Sequence, residues 1–394
     1  MLHFRRASSS SSATNLLAVF CCGWLLASCS PMDTVPGESK AQHPTAASHD
    51  LLAQSRQWVT AVGRPQARDQ LSKALARQDQ SDGQLERRLF KTNAEKDYIF
   101  PESLATMPRA ERNKTGVYFV LGFNQDKGRS PPIIRRTVQH MNDLGFRAKF
   151  IDVASRQTAD NDASVIAKAL RQELPKVERA MLLGFSRGST DLVHFWHGPA
   201  HDIPAEELRK IRLWANFAGV LRGSEVARWG ALGHDPLAWG FRCFLNWREG
   251  APRTSSADLA SIGYDKWQYP GRGFPEAVRD DITVINFVSL PDGTDGWPEE
   301  DRHFKWLAST AARQGRVIGP CDGLVESAAS ILPPQTGIEQ WIVRVHGSHS
   351  LLGGRYMNGK PVAARYHEGQ KNRLQSGVTL LDDFVRAVPK SSLE

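Results

Sequence analysis

The sequence predicts an α/β fold: a mostly parallel central sheet, helices on both of its faces, and an aromatic-rich insertion. Three observations carry this. From Gly116 onward, short apolar runs alternate with amphipathic stretches, the grammar of strands joined by helical crossovers. Within residues 177–196 an apolar run, 180–183, meets Gly184-Phe185-Ser186-Arg187-Gly188 and passes at once into a segment with apolar Leu192, Val193, Phe195 and Trp196. That reads as strand, sharp turn, helix. Finally, 394 residues with 41% hydrophobic content and 11 Trp can bury a large core, so one large domain with insertions or with a small N-terminal piece is expected.

At the N-terminus Arg5 and Arg6 precede a Ser-rich run and an apolar stretch over 16–26, too short to span a bilayer but suited to a signal segment. It closes with Leu26-Ala27-Ser28-Cys29, which resembles the bacterial lipoprotein lipobox. The resemblance implies a signal peptide over 1–28, cleavage before Cys29 and lipidation of that cysteine. With Ser30 rather than aspartate following, it implies sorting to the outer membrane, facing the periplasm or the cell surface. Cleavage removes two arginines and no acid, lowering the formal charge from +8 to about +6. That charge is spread along the chain, which fits solubility or attraction to anionic lipid and excludes a nucleic-acid footprint. Cys243 and Cys321 then remain, as two buried thiols or as a bridge tying the insertion to the loop at Asp322. No C-x-x-C or His/Cys cluster with zinc spacing occurs, so no structural metal is expected.

Residues 29–49, polar and rich in Pro, Ser and Thr, read as a tether. Over 50–115, Leu51, Leu52, Trp58, Val59, Leu71, Leu75, Leu85 and Leu89 recur at helical spacing and predict an N-terminal helical extension packed on the main domain, 116–394. There, strands are predicted at 117–121, 147–153, 180–183, 211–217, 282–290 and 341–345, at least six in all. Helices are predicted at 132–144, ended by Gly145, from Ser164 until Pro175 shuts it, and at 378–388. Residues 222–279 lack a clear strand but hold Trp229, Trp239, Trp247, Trp267, Phe241, Phe244 and Leu245. Such an insertion reads either as a cap offering an apolar wall to an acyl chain or as a packed helical excursion.

In its strand–turn–helix context, Gly-Phe-Ser-Arg-Gly reads as a nucleophile elbow. The turn strains Ser186, the flanking glycines avoid collisions, and the N–H of Arg187 at a helix N-terminus is placed for developing negative charge. A serine hydroxyl is a poor nucleophile at neutral pH, so it needs a histidine to take its proton and an acid to orient that histidine. Downstream, the acids at strand ends are Asp322, Asp292 and Asp295, and the histidines after the last strand are His346 and His349.

Three islands resemble bacterial serine lipases and esterases of the α/β-hydrolase fold: 184–188, Arg222-Gly223-Ser224-Glu225-Val226-Ala227, and Asp322-Gly323-Leu324-Val325. The elbow also resembles, more weakly, those of secreted bacterial phospholipases. The resemblance implies Ser186 as nucleophile, Asp322 as acid ahead of Asp292 or Asp295, and His349 as base ahead of His346. It further implies an oxyanion hole from the N–H groups of Arg187 and Phe123, although Leu121 stands where many such enzymes carry histidine. The implied activity is cleavage of small-molecule or lipid carboxyl esters, with membrane attachment through the N-terminal lipid and no cofactor, since neither a dinucleotide fingerprint nor a P-loop is present. The competing readings are a non-catalytic envelope scaffold and an acyltransferase using the same triad.

Overall fold

The computed structural model describes residues 50–95, 97–121, 132–153, 157–240, 261–268, 273–299, 302–349, 355–356 and 380–394. Three helices come first: α1 (Leu51–Val62), α2 (Arg64–Gln78) and α3 (Gln84–Ala94). The alternating part follows as β1 (Thr115–Val120), α4 (Pro132–Asp143), β2 (Arg147–Phe150), α5 (Ala159–Glu173), β3 (Arg179–Phe185), α6 (Arg187–His197) and β4 (Ile211–Phe217). After it come α7 (Glu225–Leu232), β5 (Thr283–Leu290), α8 (Arg302–Arg313), β6 (Gln340–His346), the two-residue β7 (Arg355–Tyr356) and a terminal helix α9 over 380–387. The strands lie in the order β2-β1-β3-β4-β5-β6-β7, all parallel except β7. The six parallel strands fall where the apolar runs place them.

The largest differences from the expected bounds are at α5 and β2. Helix α5 begins at Ala159 rather than Ser164, because Thr158 caps it, its side chain accepting from the N–H of Asn161 at 3.4 Å. Strand β2 stops at Phe150, although Ile151 and Val153 remain buried beyond it. The sequence also gave no expectation for α8, whose apolar Phe304, Leu307, Ala308 and Ala311 follow helical spacing.

Alternation along each strand sends successive side chains to opposite faces. Val117 and Phe119 pack with Leu85 and Leu89 of α3, Met141 of α4 and Phe384 and Val385 of α9. Tyr118 and Val120 pack with Ile166 and Leu170 of α5 and with Leu192, Phe195 and Trp196 of α6. Both faces are therefore covered, as a parallel sheet requires. At the carboxyl ends Phe185, Phe217 and Phe287 sit in register on adjacent strands. Their rings stack at 4.6 and 4.4 Å, a rigid floor beneath the turn that follows β3.

The N-terminal helices cover the side of β6 away from β5. The N–H of Ile342 donates to Asp79 at 2.9 Å, that of Arg344 to Glu86 at 3.0 Å, and that of Gln340 to the side chain of Gln80. Along the stretch of β6 that β7 does not pair, alternate N–H groups, which otherwise invite another chain, are thus satisfied by side chains of the α2–α3 region.

In the described part of 222–279, Trp229 is buried with Ala308, Ala311, Ile318 and Cys321, and its indole N–H donates to Asp235. Trp267 donates to the carbonyl of Leu221 and meets the ring of His197 edge-on at 4.3 Å. These two tryptophans serve packing. Phe241, Phe244, Leu245, Trp247 and Cys243 lie outside the described residues. Cys321 is a free, buried thiol, and Cys243, the partner considered for it, is one of those lying outside the described residues.

His197 supplies a pH-dependent term in stability. Burial, then the positive charge of Lys266 and the neighbouring His194 and His201, push its imidazole down to about 4. The folded protein keeps it neutral while the unfolded chain takes a proton near pH 6.5, so its contribution is present above that pH and is lost as pH falls toward 4. Denaturant unfolding between pH 7 and 5 should therefore show falling stability in the wild type and a flatter profile in His197→Phe. Identical slopes would contradict this account.

Candidate active site

Strand β3 ends at Phe185 and α6 begins at Arg187, leaving one residue to turn the chain. That residue, Ser186, has φ 50° and ψ −121°, a conformation unusual for a side chain with a Cβ. Its N–H donates to the carbonyl of Phe217 at 3.0 Å, and its own carbonyl accepts from Ser189 at 3.1 Å, so neighbouring strand and helix hold the strain. The flanking glycines are needed for space. A Cβ on Gly188 would lie 2.2 Å from the carbonyl oxygen of Val120, and one on Gly184 2.7 Å from Ser189 Oγ.

The hydroxyl of Ser186 lies 2.7 Å from Nε2 of His349, and Nδ1 of His349 lies 2.9 Å from Oδ2 of Asp322. The other carboxylate oxygen of Asp322 accepts from the N–H groups of Leu324 and Val325 at 2.9 and 2.7 Å. Both oxygens are occupied, so the carboxylate has one orientation. The main chain repeats the link, because the N–H of His349 donates to the carbonyl of Asp322 at 2.8 Å. The acid is buried and the serine part-buried.

The alternatives lie elsewhere. His346 belongs to β6, in register with Leu290 on one side and Arg355 on the other. Asp292 accepts from the N–H of Glu299 at 2.8 Å, and Asp295 pairs with Lys305 at 2.6 Å. The N–H of Arg187 stands at the start of α6, next to Ser186. Phe123, expected to supply the second donor, and Cys29 lie outside the described residues. Cys321 is no competing nucleophile, since burial and then Asp322 push its thiol far up. Among the described residues no cluster of three or more His, Cys, Asp or Glu side chains is arranged to hold a metal ion.

Two features of the site went unread in the sequence. The ring of Phe304, on α8, stands edge-on to His349 at 5.7 Å and 89°, walling the imidazole on one side. The side chain of Arg187 is buried rather than solvated, donating to Asp162 at 2.7 Å and to the carbonyl of Gln157, with Asp191 at 3.6 Å. Burial, with the charge of Asp162 adding to it against that of Arg187, raises the Asp191 carboxyl well above the usual carboxylate range. This ion cluster joins α5 to the first turn of α6 and so steadies the backbone that presents the Arg187 N–H.

The strand order, the single-residue turn carrying Ser186 and the placement of an acid and a histidine after later strands define an α/β-hydrolase fold. No protein-family model and no curated protein matches the chain. Solved structures similar to it include a metagenomic carboxyl esterase, at 12% identity over 70% of this chain and 75% of that one with a TM-score of 0.44. A lipase from Bacillus licheniformis is similar at 13% identity over 64% and 87%, with a TM-score of 0.42. A thioesterase from the prodiginine pathway of Streptomyces coelicolor is similar at 14% identity over 70% and 92%, with a TM-score of 0.33.

Proposed function

We propose that the protein is a serine hydrolase of carboxyl esters, with acyl or lipid esters as its substrate class. The observation that carries this is the continuous chain Ser186 Oγ, His349 Nε2, His349 Nδ1, Asp322 Oδ2 on a strained turn. A scaffold has no use for that strain, which costs on the order of 1–3 kcal/mol.

Ser186 Oγ attacks the ester carbonyl as its proton passes to Nε2 of His349. Asp322 holds the Nδ1–H tautomer and stabilises the imidazolium. The oxyanion that forms accepts from the N–H of Arg187, and the expected second donor is Phe123. His349 then protonates the leaving alkoxide, leaving an acyl group on Ser186. Water, deprotonated by the same imidazole, attacks the acyl-enzyme and frees the acid.

The assay is hydrolysis of p-nitrophenyl esters of graded acyl length by the purified protein. Turnover abolished by a fluorophosphonate supports the reading, and absence of turnover at every length opposes it. Attachment to a membrane rests on Leu26-Ala27-Ser28-Cys29. Cys29→Ala should abolish labelling by radioactive palmitate and sedimentation with membranes, and unchanged labelling would place the lipid elsewhere.

A further inference from the structure

The carboxylate of Asp322 is oriented by the turn on which it sits, and that turn is held from behind by the N-terminal helix. In the turn, the N–H of Asp322 donates to the carbonyl of Val325 at 3.0 Å and that of Ser327 to Pro320 at 2.9 Å, with Cys321 and Glu326 facing each other as a bridge. Gly323 takes φ 103°, and a Cβ there would fall 2.4 Å from Cβ of Phe304. Asp322 and Glu326 therefore stand on opposite limbs of one tight hairpin.

The Glu326 side chain is 2% exposed. Its Oε1 accepts from the N–H of Gly319 and from Nε of Arg56, both at 2.8 Å, and its Oε2 meets Nη2 of Arg56 at 2.5 Å. This is a two-pronged guanidinium–carboxylate pair, the geometry in which arginine is not replaceable by lysine. Nη2 of Arg56 also reaches Glu225 at 3.3 Å. Glu225 opens α7, whose capping Ser224 donates its hydroxyl to the carbonyl of Leu324, back on the hairpin, at 2.5 Å. A second arginine repeats the tie: Arg222 holds Asp50, the cap of α1, at 2.5 and 2.9 Å, and Asp265 at 2.9 Å.

We infer that Arg56 and Glu326 are positioning residues for the triad acid, and that helix α1 is thereby a working part of the site. The inference rests on the hydrolase reading above. Without Arg56 the buried carboxylate of Glu326 is uncompensated and must take a proton or leave its place. Protonation weakens the bond from the Gly319 N–H and departure breaks it, and either loosens the limb opposite Asp322. The carboxylate of Asp322 then loses its fixed direction toward Nδ1 of His349, and chemistry suffers rather than binding.

The test uses the full-length protein acting on p-nitrophenyl butyrate, with kcat expressed per site titrated by fluorophosphonate so that unfolded molecules do not count. Arg56→Met and Glu326→Gln should each lower kcat by about tenfold to a hundredfold, with KM changed by no more than about twofold. Arg56→Lys should recover part of the loss. The double variant should lose no more than the worse single one, because the two side chains act as one unit. Unchanged kcat per titrated site with only a lower Tm would make the pair merely structural and overturn the inference, as would losses that multiply in the double variant. If Arg56→Met does not accumulate, Arg56→Lys and Glu326→Gln decide the matter by the same criteria. A wild-type protein that neither turns over ester nor takes the probe overturns the hydrolase reading itself, a result distinct from full activity in the Arg56 variants.

Discussion

Ser186→Ala should lower turnover of a p-nitrophenyl ester by roughly 10⁴- to 10⁶-fold while leaving the protein folded. The size follows from the step removed. Alanine has no hydroxyl to bond covalently to the acyl carbon, so only direct attack by water, aided by the oxyanion donors, remains. Retention of the fold follows from the geometry of the turn. The φ of 50° and ψ of −121° are imposed by main-chain bonds to Phe217 and Ser189, and alanine meets the same backbone demand as serine. The side-chain bond given up is the one to His349. Measured kcat with circular dichroism and Tm beside it checks both halves. Retention of a tenth of the activity in a folded variant would remove Ser186 from its proposed role.

Asp322→Asn should cost on the order of 10⁴-fold in kcat, although it changes hardly any volume. Oδ1 is pinned by the N–H groups of Leu324 and Val325, so the amide oxygen takes that place. The amide nitrogen must then face Nδ1 of His349, where Oδ2 stood at 2.9 Å. A donor there selects the tautomer protonated on Nε2, which can no longer accept the proton of Ser186. The imidazolium that forms during attack also loses its counter-charge. Activity within tenfold of wild type would transfer the orienting role to another group, and Asp292→Asn and Asp295→Asn would then be the variants to compare.

The features legible in the sequence were those written in short windows. The elbow needs glycines on both sides of Ser186, and a Cβ at either would collide, so the pattern is a direct trace of the geometry. From the sequence His349 is preferred to His346 because the predicted strand 341–345 abuts position 346 and because the resemblance puts the histidine in the loop beyond it. Asp322 is singled out in the sequence only through a resemblance, since an aspartate before glycine is also an ordinary turn, and the N–H groups of Leu324 and Val325 that it accepts from are main chain. The contribution of α8 could have been read from Phe304, Leu307, Ala308 and Ala311, but its contact with His349 depends on how later elements fold back. The buried side chain of Arg187 had one local sign, Asp191 four residues on, while its second partner, Asp162, comes from another helix. The pairing of Arg56 with Glu326 joins residues 270 positions apart, and no local pattern in either segment announces it.

The most direct measurement is mass spectrometry of the purified protein after incubation with a fluorophosphonate, which bonds only to an activated nucleophile and requires no knowledge of the substrate. The account predicts one adduct per chain, located by peptide mapping on Ser186, and none on Ser186→Ala or on protein denatured before incubation. An unmodified native chain, or an adduct mapped to a residue other than Ser186, would contradict it.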